Sequence, residues 1–539
     1  MNKQKEVLSE GYPRQEYAEI ETHCLKICNI SSHWDATEHI YIPAFNLQFH
    51  PYSFIGWPVN CRVFSQGKNM DEQIVQELIS IVGKENVSTA VSDKITHSYD
   101  ATQERHLPDV VVYAGTTEEV SRVVKLANRW KIPVLPRGAG SGFTGGTLPI
   151  HGGIVLVLTK MDRIIEIDTE NLTAEVEPGV VTAELQRQVE KLGLFYPPDP
   201  ASKEFSTLGG NVAECAGGPR CVKYGVTKDY VLGLEVVTPT GDIIRTGGRT
   251  LKNVVGYDLT KLFVGSEGTL GIATKIILKL IPKPAAKKTM LVQFETIDGA
   301  AKSVSAIIGA KIIPTTLEFM DAATINCIRG VSSIPLPENC RAILIIEVDG
   351  DAQMLDRQVE NILAIIKPFG ILHTKIAETD EESEEIWGVR RIVSPSLRKV
   401  NPDKFNEDIV VPRSKVPDMI RALEKISTDY GVPIVNFGHA GDGNIHVNVM
   451  VDLKEKGMAV KIEKVMEEVF SAAINLRGAI SGEHGIGTSK SKYLSMELDK
   501  ATIAYMQRIK AALDPNNILN PGKIFLENYP QAPEVTSNN

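Results

Sequence analysis

The glycine-rich stretch Pro136-Arg-Gly-Ala-Gly-Ser-Gly-Phe-Thr-Gly-Gly-Thr-Leu-Pro-Ile-His-Gly-Gly153 decides how this chain folds. Its segment 140–145 satisfies the GxGxxG pattern of dinucleotide binding, which in nicotinamide-binding proteins opens a helix whose N-terminus receives the pyrophosphate. Here Pro149 and two further glycines intervene and the apolar run Ile154–Leu158 follows at once, so there is no room for that helix. The stretch is therefore predicted to bind an anion through backbone amides, because residues without side chains allow close approach.

The residues before this loop predict a β-α-β unit. Segments 110–115 (VVVYAG) and 132–137 (IPVLPR) are short apolar runs typical of buried strands. Between them, Thr116-x-x-Glu119 forms a capping box, and apolar residues recur at helical spacing as far as Trp130. A second helix is predicted to begin near Thr182 and to end at Gly193.

Three more glycine clusters follow the first loop, at 207–211 (TLGGN), 216–218 (AGG) and 265–271 (GSEGTLG), after the rigid run 197–200 (PPDP). A single glycine-rich loop is weak evidence, because many such loops are simple turns. Several separated loops are what a long, folded cofactor needs along its length. A turn-rich domain without a ligand remains the alternative at this point.

Five stretches carry a family resemblance: 136–146, 197–202, 207–218, 223–237 and 264–272. They resemble the FAD-binding domain of the vanillyl-alcohol-oxidase/p-cresol-methylhydroxylase (PCMH) superfamily, in particular its branch of glycolate oxidase D-subunits, D-lactate dehydrogenases and D-2-hydroxyglutarate dehydrogenases. The resemblance implies an α+β fold in which a two-lobed PCMH-type FAD-binding domain precedes a substrate domain. That second domain is expected to be an antiparallel sheet with helices on one side, and the last segment is expected to close over the cofactor.

The resemblance also implies where FAD binds, with the loop at 137–147 at the pyrophosphate and the later clusters around the rest. Covalent members of the superfamily carry a His or Cys bonded to the isoalloxazine ring. The segment 136–147 has no His, so non-covalent FAD is expected. The residues expected to contact FAD are Pro136, Arg137, Gly138, Ala139, Gly140, Ser141, Gly142, Gly145, Gly146, Pro198, Asp199, Gly209, Gly210, Asn211, Gly217, Gly218, Gly268, Gly271, Ile272 and Asn520.

Near the C-terminus, the segment 437–448 (FGHAGDGNIHVN) predicts a β-hairpin. Strand-like residues lead into and out of Gly-Asp-Gly-Asn, so a four-residue loop is expected at 441–444. In that register His439 and His446 are directly opposed, close enough for both imidazoles to bind one cation, and Asn448 shares their face. A slip of one residue would break this arrangement.

A second motif at 481–487 (SGEHGIG) supplies a carboxylate and another imidazole. Adjacent residues of an extended chain point to different sides, so Glu483 can bind a metal while His484 faces a substrate. Two histidines and one carboxylate form an open ligand set that leaves room for a substrate. By resemblance to the D-2-hydroxy-acid branch, His439, His446 and Glu483 are metal ligands and His484 is the general base. The metal is expected to be divalent, zinc first, with iron or manganese as alternatives.

Arg390, in the segment 387–394 (WGVRRIVS), resembles the family's carboxylate-binding arginine. A guanidinium group matches a carboxylate bidentately, which suits an acid substrate, and the neighbouring Arg391 is the alternative. Further substrate contacts are expected at Ser394, Lys404 and Asn448. The spacing between Lys404 and Pro412 is longer than expected in the 2-hydroxyglutarate enzymes, which favours a short substrate.

The implied reaction is the oxidation of a short D-2-hydroxy acid, D-lactate or glycolate, to the 2-oxo acid. Arg390 holds the carboxylate, the metal lowers the pKa of the hydroxyl, His484 takes its proton, and a hydride leaves to flavin N5. The alternatives are D-2-hydroxyglutarate dehydrogenation and a flavin-carrying electron-transfer subunit of a larger complex. Relatives work with iron–sulfur or electron-transfer-flavoprotein partners, so a partner of that kind is conceivable here.

Length and patterning predict several compact units in the 539 residues. Residues 1–69 lack sustained periodicity and are expected to be an N-terminal extension, with Met70 even a candidate translation start. The FAD-binding domain is expected at 70–285, since Pro-Lys-Pro at 282–284 is typical of a boundary. The substrate domain follows at 286–527, with a tail at 528–539.

Composition excludes several classes of function. A formal net charge of −9 gives no basic field for nucleic acid. The longest apolar runs fall far short of the ~20 residues of a membrane span, and the first ten residues lack the apolar stretch of a secretory signal. Seven scattered cysteines indicate reduced thiols and a cytoplasmic protein rather than a disulfide framework.

Overall fold

The glycine-rich loop joins two neighbouring parallel strands, with no helix between residues 138 and 153. The computed structural model describes residues 70–102 and 104–526. The expectations for residues 1–69 and for the tail at 528–539 lie outside the described residues. The prediction that this loop opens no helix is confirmed.

A small, largely parallel sheet forms the first lobe. Its elements are α1 Glu72–Val82, β1 Val87–Ser88, α2 Val91–Thr96, β2 Val110–Tyr113, α3 Thr117–Trp130, β3 Val134–Arg137 and β4 Ile154–Val157. The strand order is β1-β2-β4-β3, and β2, β4 and β3 run parallel as the β-α-β pattern predicts. Helix α3 begins as predicted, because the Thr116 hydroxyl accepts a hydrogen bond from the Glu119 amide at 3.1 Å.

An antiparallel sheet forms the second lobe. Its elements are β5 Ile164–Asp168, β6 Thr173–Val176, α4 Thr182–Glu190, β7 Leu194–Phe195, α5 Leu208–Glu214, α6 Cys221–Tyr224, β8 Val231–Val237, β9 Ile243–Gly247, α7 Leu259–Phe263, β10 Ile272–Lys279 and β11 Ile281–Pro282. Five strands form one sheet in the order β5-β6-β10-β8-β9, while β7 pairs with β11. Residues alternate between buried and half-buried along β10, so one face of this sheet covers the lobe's core.

The third part of the chain is built on a seven-stranded antiparallel sheet. Its elements are β12 Ala286–Phe294, α8 Ile297–Gly309, β13 Thr316–Met320, α9 Ala322–Ile328, β14 Ala342–Gly350, α10 Ala352–Ile366, β15 Ile371–Ile376, α11 Asp380–Arg391, α12 Val393–Ser396, β16 Asp403–Val410, α13 Val416–Tyr430, β17 Ile434–His439, β18 Asn444–Val451, α14 Met458–Asn475, α15 Leu494–Glu497 and α16 Lys500–Leu513. The strand order is β15-β12-β14-β13-β17-β18-β16.

Helices cover both faces of this sheet, which corrects the expectation of helices on one side. One core, with Phe319 and Leu344 at its centre, packs against the long helices α8, α10, α13 and α14. The alternate residues, such as Met320 and Ile345, pack against the short helices α9, α11 and α12. Central strands such as β14 are buried on both faces, and their continuous apolar sequence agrees with a helical layer on each side of the sheet.

The hairpin forms where predicted, but its register is shifted by two residues. His439 pairs with Asn444, and His446 pairs with Phe437, so the two histidines are diagonal neighbours and not directly opposed. Asn444 already belongs to β18 because it also pairs with Val410 of β16, so the turn ends one residue earlier than expected. A shift of two residues preserves the face, and the two imidazoles therefore still point to the same side of the sheet.

The last described segment returns to the first lobe. Leu519 forms a parallel bridge with Val134, and the Asn520 side-chain amide donates to the carbonyl oxygens of Gly146 and Glu267 at 2.8 and 2.7 Å. The boundary at 285 stays a proposal; it falls between β11, which pairs in the second lobe, and the first strand of the large sheet. In the part of the chain that the structure describes, no helix has both the length and the apolar character to cross a membrane.

Candidate active site

A cavity lies where the glycine clusters of the two lobes meet. The predicted FAD contacts that line it are Pro136, Arg137, Gly138, Gly146, Gly209, Gly210, Gly268, Gly271 and Ile272. The residues that line this cavity include neither His nor Cys, and the expectation of non-covalent FAD stays a prediction.

The glycine-rich loop is shaped by the buried guanidinium group of Arg137. That group donates to the Tyr99 carbonyl oxygen at 2.8 Å and to the Thr147 hydroxyl at 3.1 Å. Gly140 has a φ of +70°, and a Cβ there would lie 2.1 Å from the Arg137 guanidinium. The loop can therefore fold over the arginine only with glycine at this position.

Glu214 indicates that the cavity is built for a polar ligand. This half-buried carboxyl group lines the cavity, and its Oε2 atom, which is buried, has no hydrogen-bond partner among the described residues. Burial and the neighbouring carboxylate of Glu267 raise the pKa of Glu214 well above its ordinary value, which favours the neutral acid. A cofactor rich in hydroxyl and amide groups, such as FAD, fits that requirement.

The other predicted FAD contacts do not line this cavity. Gly217 instead lies against Glu483, since a Cβ at Gly217 would be 2.5 Å from its Oε2 atom. The side chain of Asn211 is also engaged elsewhere, because its amide donates to the Thr182 hydroxyl. The remaining residues outside the cavity are Ala139, Gly140, Ser141, Gly142, Gly145, Pro198, Asp199, Gly218 and Asn520.

The three predicted metal ligands converge on one point. The Nε2 atoms of His439 and His446 are 3.3 Å apart, and Glu483 Oε1 lies 3.4 Å from the first and 3.6 Å from the second. Ligands bound at ~2.0–2.1 Å in a tetrahedral shell are roughly 3.3–3.5 Å apart. Within residues 70–102 and 104–526, this is the only cluster of three or more His, Cys, Asp or Glu side chains suited to hold a metal ion.

Glu318 links the metal-ligand candidates to Arg390. This carboxylate is fully buried on β13, directly opposite His439 of β17. It contacts the Nδ1 atom of His439 and accepts a hydrogen bond from Arg390 Nε at 2.8 Å. A carboxylate on the second nitrogen of a metal-binding histidine fixes the ring and its tautomer. Arg390 also lies over the ring of Phe437, 4.3 Å from its centroid.

The two histidines have opposite electrostatic environments. Burial lowers the pKa of His439, but the carboxylates of Glu318 and Glu483 outweigh it and place that pKa well above its ordinary value. For His446, burial and the proximity of His439 and His484 hold the pKa well below its ordinary value. Neutral imidazole is the form that binds metals, so His446 needs no deprotonation to act as a ligand.

His484 lies between the two halves of the protein. Its ring stacks on His446 at 5.4 Å and on Phe143 at 5.0 Å, and Phe143 belongs to the glycine-rich loop. The Thr144 hydroxyl donates to the His484 carbonyl oxygen at 3.0 Å. The following residues 486 and 487 donate both their amides at 2.7 Å to Glu267, which lines the cavity. The metal-ligand candidates and the cavity are therefore adjacent.

Of the remaining predicted substrate contacts, Lys404 and Ser394 lie close to this site, whereas Asn448 is buried within the sheet. The Lys404 ammonium lies 3.3 Å from the Ser394 hydroxyl and 5.7 Å from the centroid of Phe143, beside His484. Asn448 is fully buried, and its amide donates to the carbonyl oxygens of Val435 and His446. Its position supports the hairpin and leaves no donor for a substrate. Arg391 binds Glu384 on the surface, so the preference for Arg390 over Arg391 agrees with the geometry.

Sequence reasoning did not identify Glu318, Asp408, Glu214 or Phe143. The signal for the first two was present, because each is an acidic residue inside an otherwise apolar strand, TLEFM at 316–320 and EDIVV at 407–411. A charge in such a strand needs a buried partner. Phe143 lies in the glycine-rich loop, but its contact with His484 spans more than 300 residues of sequence.

Comparison with known proteins identifies two family domains. Residues 108–247 match the FAD binding domain, and residues 283–524 match the C-terminal domain of FAD linked oxidases. Glycolate oxidase subunit GlcD of Bacillus subtilis is 48% identical over 84% of this chain and 97% of its own length. D-lactate dehydrogenase of Anaerostipes hadrus is 36% identical over 81% of this chain and 94% of its own length.

Solved structures confirm the PCMH-type fold. p-Cresol methylhydroxylase with bound substrate aligns over 84% of this chain and 96% of its own, with a TM-score of 0.71 at 21% sequence identity. At that low sequence identity, the similarity shows the fold alone. The matched domains and the similar sequences also show the family: this chain belongs to the FAD-linked oxidases and is an FAD-dependent oxidoreductase.

Proposed function

We propose that this protein oxidises a short D-2-hydroxy acid, D-lactate or glycolate, to the corresponding 2-oxo acid. The observation that carries the proposal is the convergence of His439, His446 and Glu483 within 3.3–3.6 Å, with His484 stacked beside them at the edge of the flavin cavity. The names of the relatives, a glycolate oxidase subunit and a D-lactate dehydrogenase, agree with this substrate class.

His484 is assigned the role of general base. When bound, FAD accepts the α-hydrogen of the substrate as hydride and a divalent metal ion polarises its hydroxyl oxygen. The hydroxyl proton passes to the imidazole of His484, so that one proton and one hydride leave the substrate and a carbonyl group forms. The Nδ1 atom of His484 has no hydrogen-bond partner among the described residues, so no other described group shares a proton with that nitrogen.

Arg390 is assigned to the substrate carboxylate. Only its Nε atom is used by Glu318, and the structure shows no hydrogen bond from its two terminal nitrogens to any described residue. A guanidinium group held at one edge can still offer its other donors to a carboxylate. Arg390 and the metal-ligand candidates then define the two ends of a small substrate, with zinc, iron or manganese as the candidate ions.

A substrate panel under anaerobic conditions tests this proposal. Purified FAD-loaded protein is mixed with D-lactate, glycolate, L-lactate and D-2-hydroxyglutarate, and the bleaching of the flavin absorbance is followed. We expect D-lactate or glycolate to bleach the flavin fastest and L-lactate to be inert. Failure of all these acids to reduce the flavin would contradict the proposal and favour the electron-transfer-subunit alternative, in keeping with the word "subunit" in the name of one relative.

A dicarboxylic substrate such as D-2-hydroxyglutarate is a second candidate, because one observation favours it. Lys404 places a second cation beside Phe143 and His484. Burial lowers the pKa of Lys404, and an acid group of a substrate would favour its charged form. If a second carboxylate binds there, Lys404→Ala will lower the rate with D-2-hydroxyglutarate more than the rate with D-lactate. An equal effect on both acids would exclude this candidate.

A further inference from the structure

We propose that Asp408 is the positioning residue that holds the segment carrying Glu483 and His484 against the hairpin carrying His439 and His446. The inference rests on the proposed function, because it presumes that these four side chains form the metal and base site. Asp408 lies on β16 and is fully buried, with no exposed side-chain surface. It does not line the cavity and is not one of the metal-ligand candidates, although it lies close enough to His446 and His484 for their charges to interact.

One oxygen of Asp408 fixes the backbone of the base-bearing segment. Its Oδ2 atom accepts hydrogen bonds from the amides of Gly482, Glu483 and His484 at 2.9, 2.8 and 2.9 Å. The Ser481 hydroxyl oxygen lies 3.3 Å from the same atom. Three successive amides directed at one carboxylate oxygen constrain the backbone of this segment, and charge-assisted bonds of this kind are roughly twice as strong as neutral ones.

The other side of Asp408 is joined to the hairpin. Its Oδ1 atom accepts a hydrogen bond from the side-chain amide of Asn444, the first residue of β18. In the register of β16 with β18, Asp408 is also directly opposite His446. One carboxylate is therefore bound to both motifs that carry the candidate site, although the motifs are separated by more than 30 residues of sequence.

His484 depends on its backbone for its position, because no hydrogen bond from a described residue holds the Nδ1 side of its ring. No described side chain accepts or donates a hydrogen bond at its Nδ1 atom, which is buried, and the ring is placed by stacking between Phe143 and His446. Stacking sets the plane of a ring but not its position along the segment. That position follows from the backbone, and the backbone amide of His484 is bound to Asp408.

An amide at position 408 supports this arrangement less well than a carboxylate. Both oxygens of Asp408 face donors, backbone amides on one side and the Asn444 amide on the other. Asn at this position can keep the backbone amides on its oxygen only if the Asn444 amide turns over to accept from the new NH₂ group, and this breaks the Asn444 hydrogen bond to the Ile409 carbonyl oxygen. The variant Asp408→Asn therefore keeps the size of the side chain but removes the charge that strengthens the three amide bonds, so the segment at 481–484 is held less firmly.

The test uses the full-length, FAD-loaded protein and its variants Asp408→Asn and Asp321→Asn. Asp321 is the matched control, because it is also a buried aspartate, lies directly after β13, accepts backbone amides of Thr324 and Asn436, and makes no hydrogen bond to the candidate site residues. Zn²⁺ affinity is measured by competition with a chromophoric chelator, and flavin reduction by anaerobic mixing with D-lactate. We expect Asp408→Asn to bind Zn²⁺ about 10–100-fold more weakly and to reduce its flavin more slowly, with FAD content unchanged. Asp321→Asn should match the wild type in both.

Asn444→Ala is the second variant, for the case that Asp408→Asn does not fold. It removes one donor to Asp408 and leaves the three backbone amides in place, so Zn²⁺ affinity should fall in the same direction and by less. Wild-type Zn²⁺ affinity and flavin reduction in Asp408→Asn, or in Asn444→Ala if only that variant folds, would overturn the inference and leave the proposed function standing. A wild-type protein that binds no divalent cation would instead contradict the proposed function, and the inference with it.

Discussion

At the scale of single residues, the sequence predicts those residues of the site that belong to short motifs. His439, His446, Glu483 and His484 were all selected from two segments of fewer than fifteen residues, and the structure brings them together. Glu318 was missed because nothing in its own strand points to a histidine 121 positions away. A residue whose role is defined by a distant partner needs the fold before it can be recognised.

Removal of the candidate base gives the first prediction. His484→Ala should keep its FAD and its yellow colour, because the histidine does not line the cavity, but D-lactate should no longer bleach the flavin. The expected loss in the rate of flavin reduction is at least ~10²-fold, the usual contribution of a positioned base. The control is His373→Ala, an exposed histidine on the edge strand β15. Rapid bleaching of His484→Ala would refute the assignment.

Glu318 gives the second prediction, because it contacts both His439 and Arg390. Glu318→Gln removes the charge that orients the histidine and holds the arginine, so Zn²⁺ affinity should fall ~10–100-fold and the KM for D-lactate should rise. Chelator competition and steady-state kinetics measure the two effects. Glu347→Gln is the control, since Glu347 is a buried glutamate of the neighbouring strand that binds Thr289. The prediction is wrong if KM and metal affinity are both unchanged.

At the scale of elements, the hairpin shows what a local pattern can and cannot define. The two strands of the hairpin were predicted, but the turn was placed one residue too late in the chain and the register was wrong by two residues. The turn sequence alone allows either register. The neighbouring strand β16 decides it, because pairing with Val410 draws Asn444 into the sheet, and β16 could not be placed from the hairpin sequence.

The turn itself gives the third prediction. Gly443 has a φ of +92°, and a Cβ there would lie 1.9 Å from the carbonyl oxygen of Val411. Gly443→Ala should therefore lower the free energy of unfolding by roughly 2 kcal/mol or more, from strain and steric overlap together. Gly431→Ala is the matched control, because Gly431 has a φ of +59° but open space around it. Its free energy of unfolding should therefore fall by only about 1 kcal/mol. Equal losses in denaturant titrations would contradict this account of the turn.

Asp321 gives the fourth prediction, on pH. It caps helix α9 by accepting the Thr324 amide at 2.8 Å, and burial raises its pKa to about 6. The folded protein therefore holds this proton more tightly than the unfolded chain. The stabilisation that results is fully present below the ordinary aspartate pKa and is lost as pH rises toward about 6, in total about 3 kcal/mol.

Unfolding of the wild type and of Asp321→Asn between pH 4 and pH 7 measures this effect. The free energy of unfolding of the wild type, relative to the variant, should decrease as pH rises over that interval and then stay constant. A pH-independent difference would show that Asp321 is ionised throughout, with its three amide donors outweighing burial.

At the scale of the whole molecule, the site exists only because distant parts of the chain meet. The glycine-rich loop supplies Phe143, helix α11 supplies Arg390, and the hairpin and the segment at 481–487 supply the metal-ligand candidates and the base. The glycine clusters and the family resemblance were sufficient to predict the two-lobed domain. The second helical layer on the large sheet was missed although a signal for it was present, because a continuous apolar strand such as β14 needs both of its faces covered.

The proposed reaction depends on a metal ion that is held by His439, His446 and Glu483 and that assists oxidation of the substrate beside the flavin. Chelator-treated and dialysed protein, still carrying FAD, is mixed anaerobically with D-lactate before and after Zn²⁺ or Mn²⁺ is restored, and the rate of flavin bleaching is recorded. We predict that metal removal abolishes bleaching and that one of these ions restores it. Undiminished bleaching by the metal-free protein would contradict the claim.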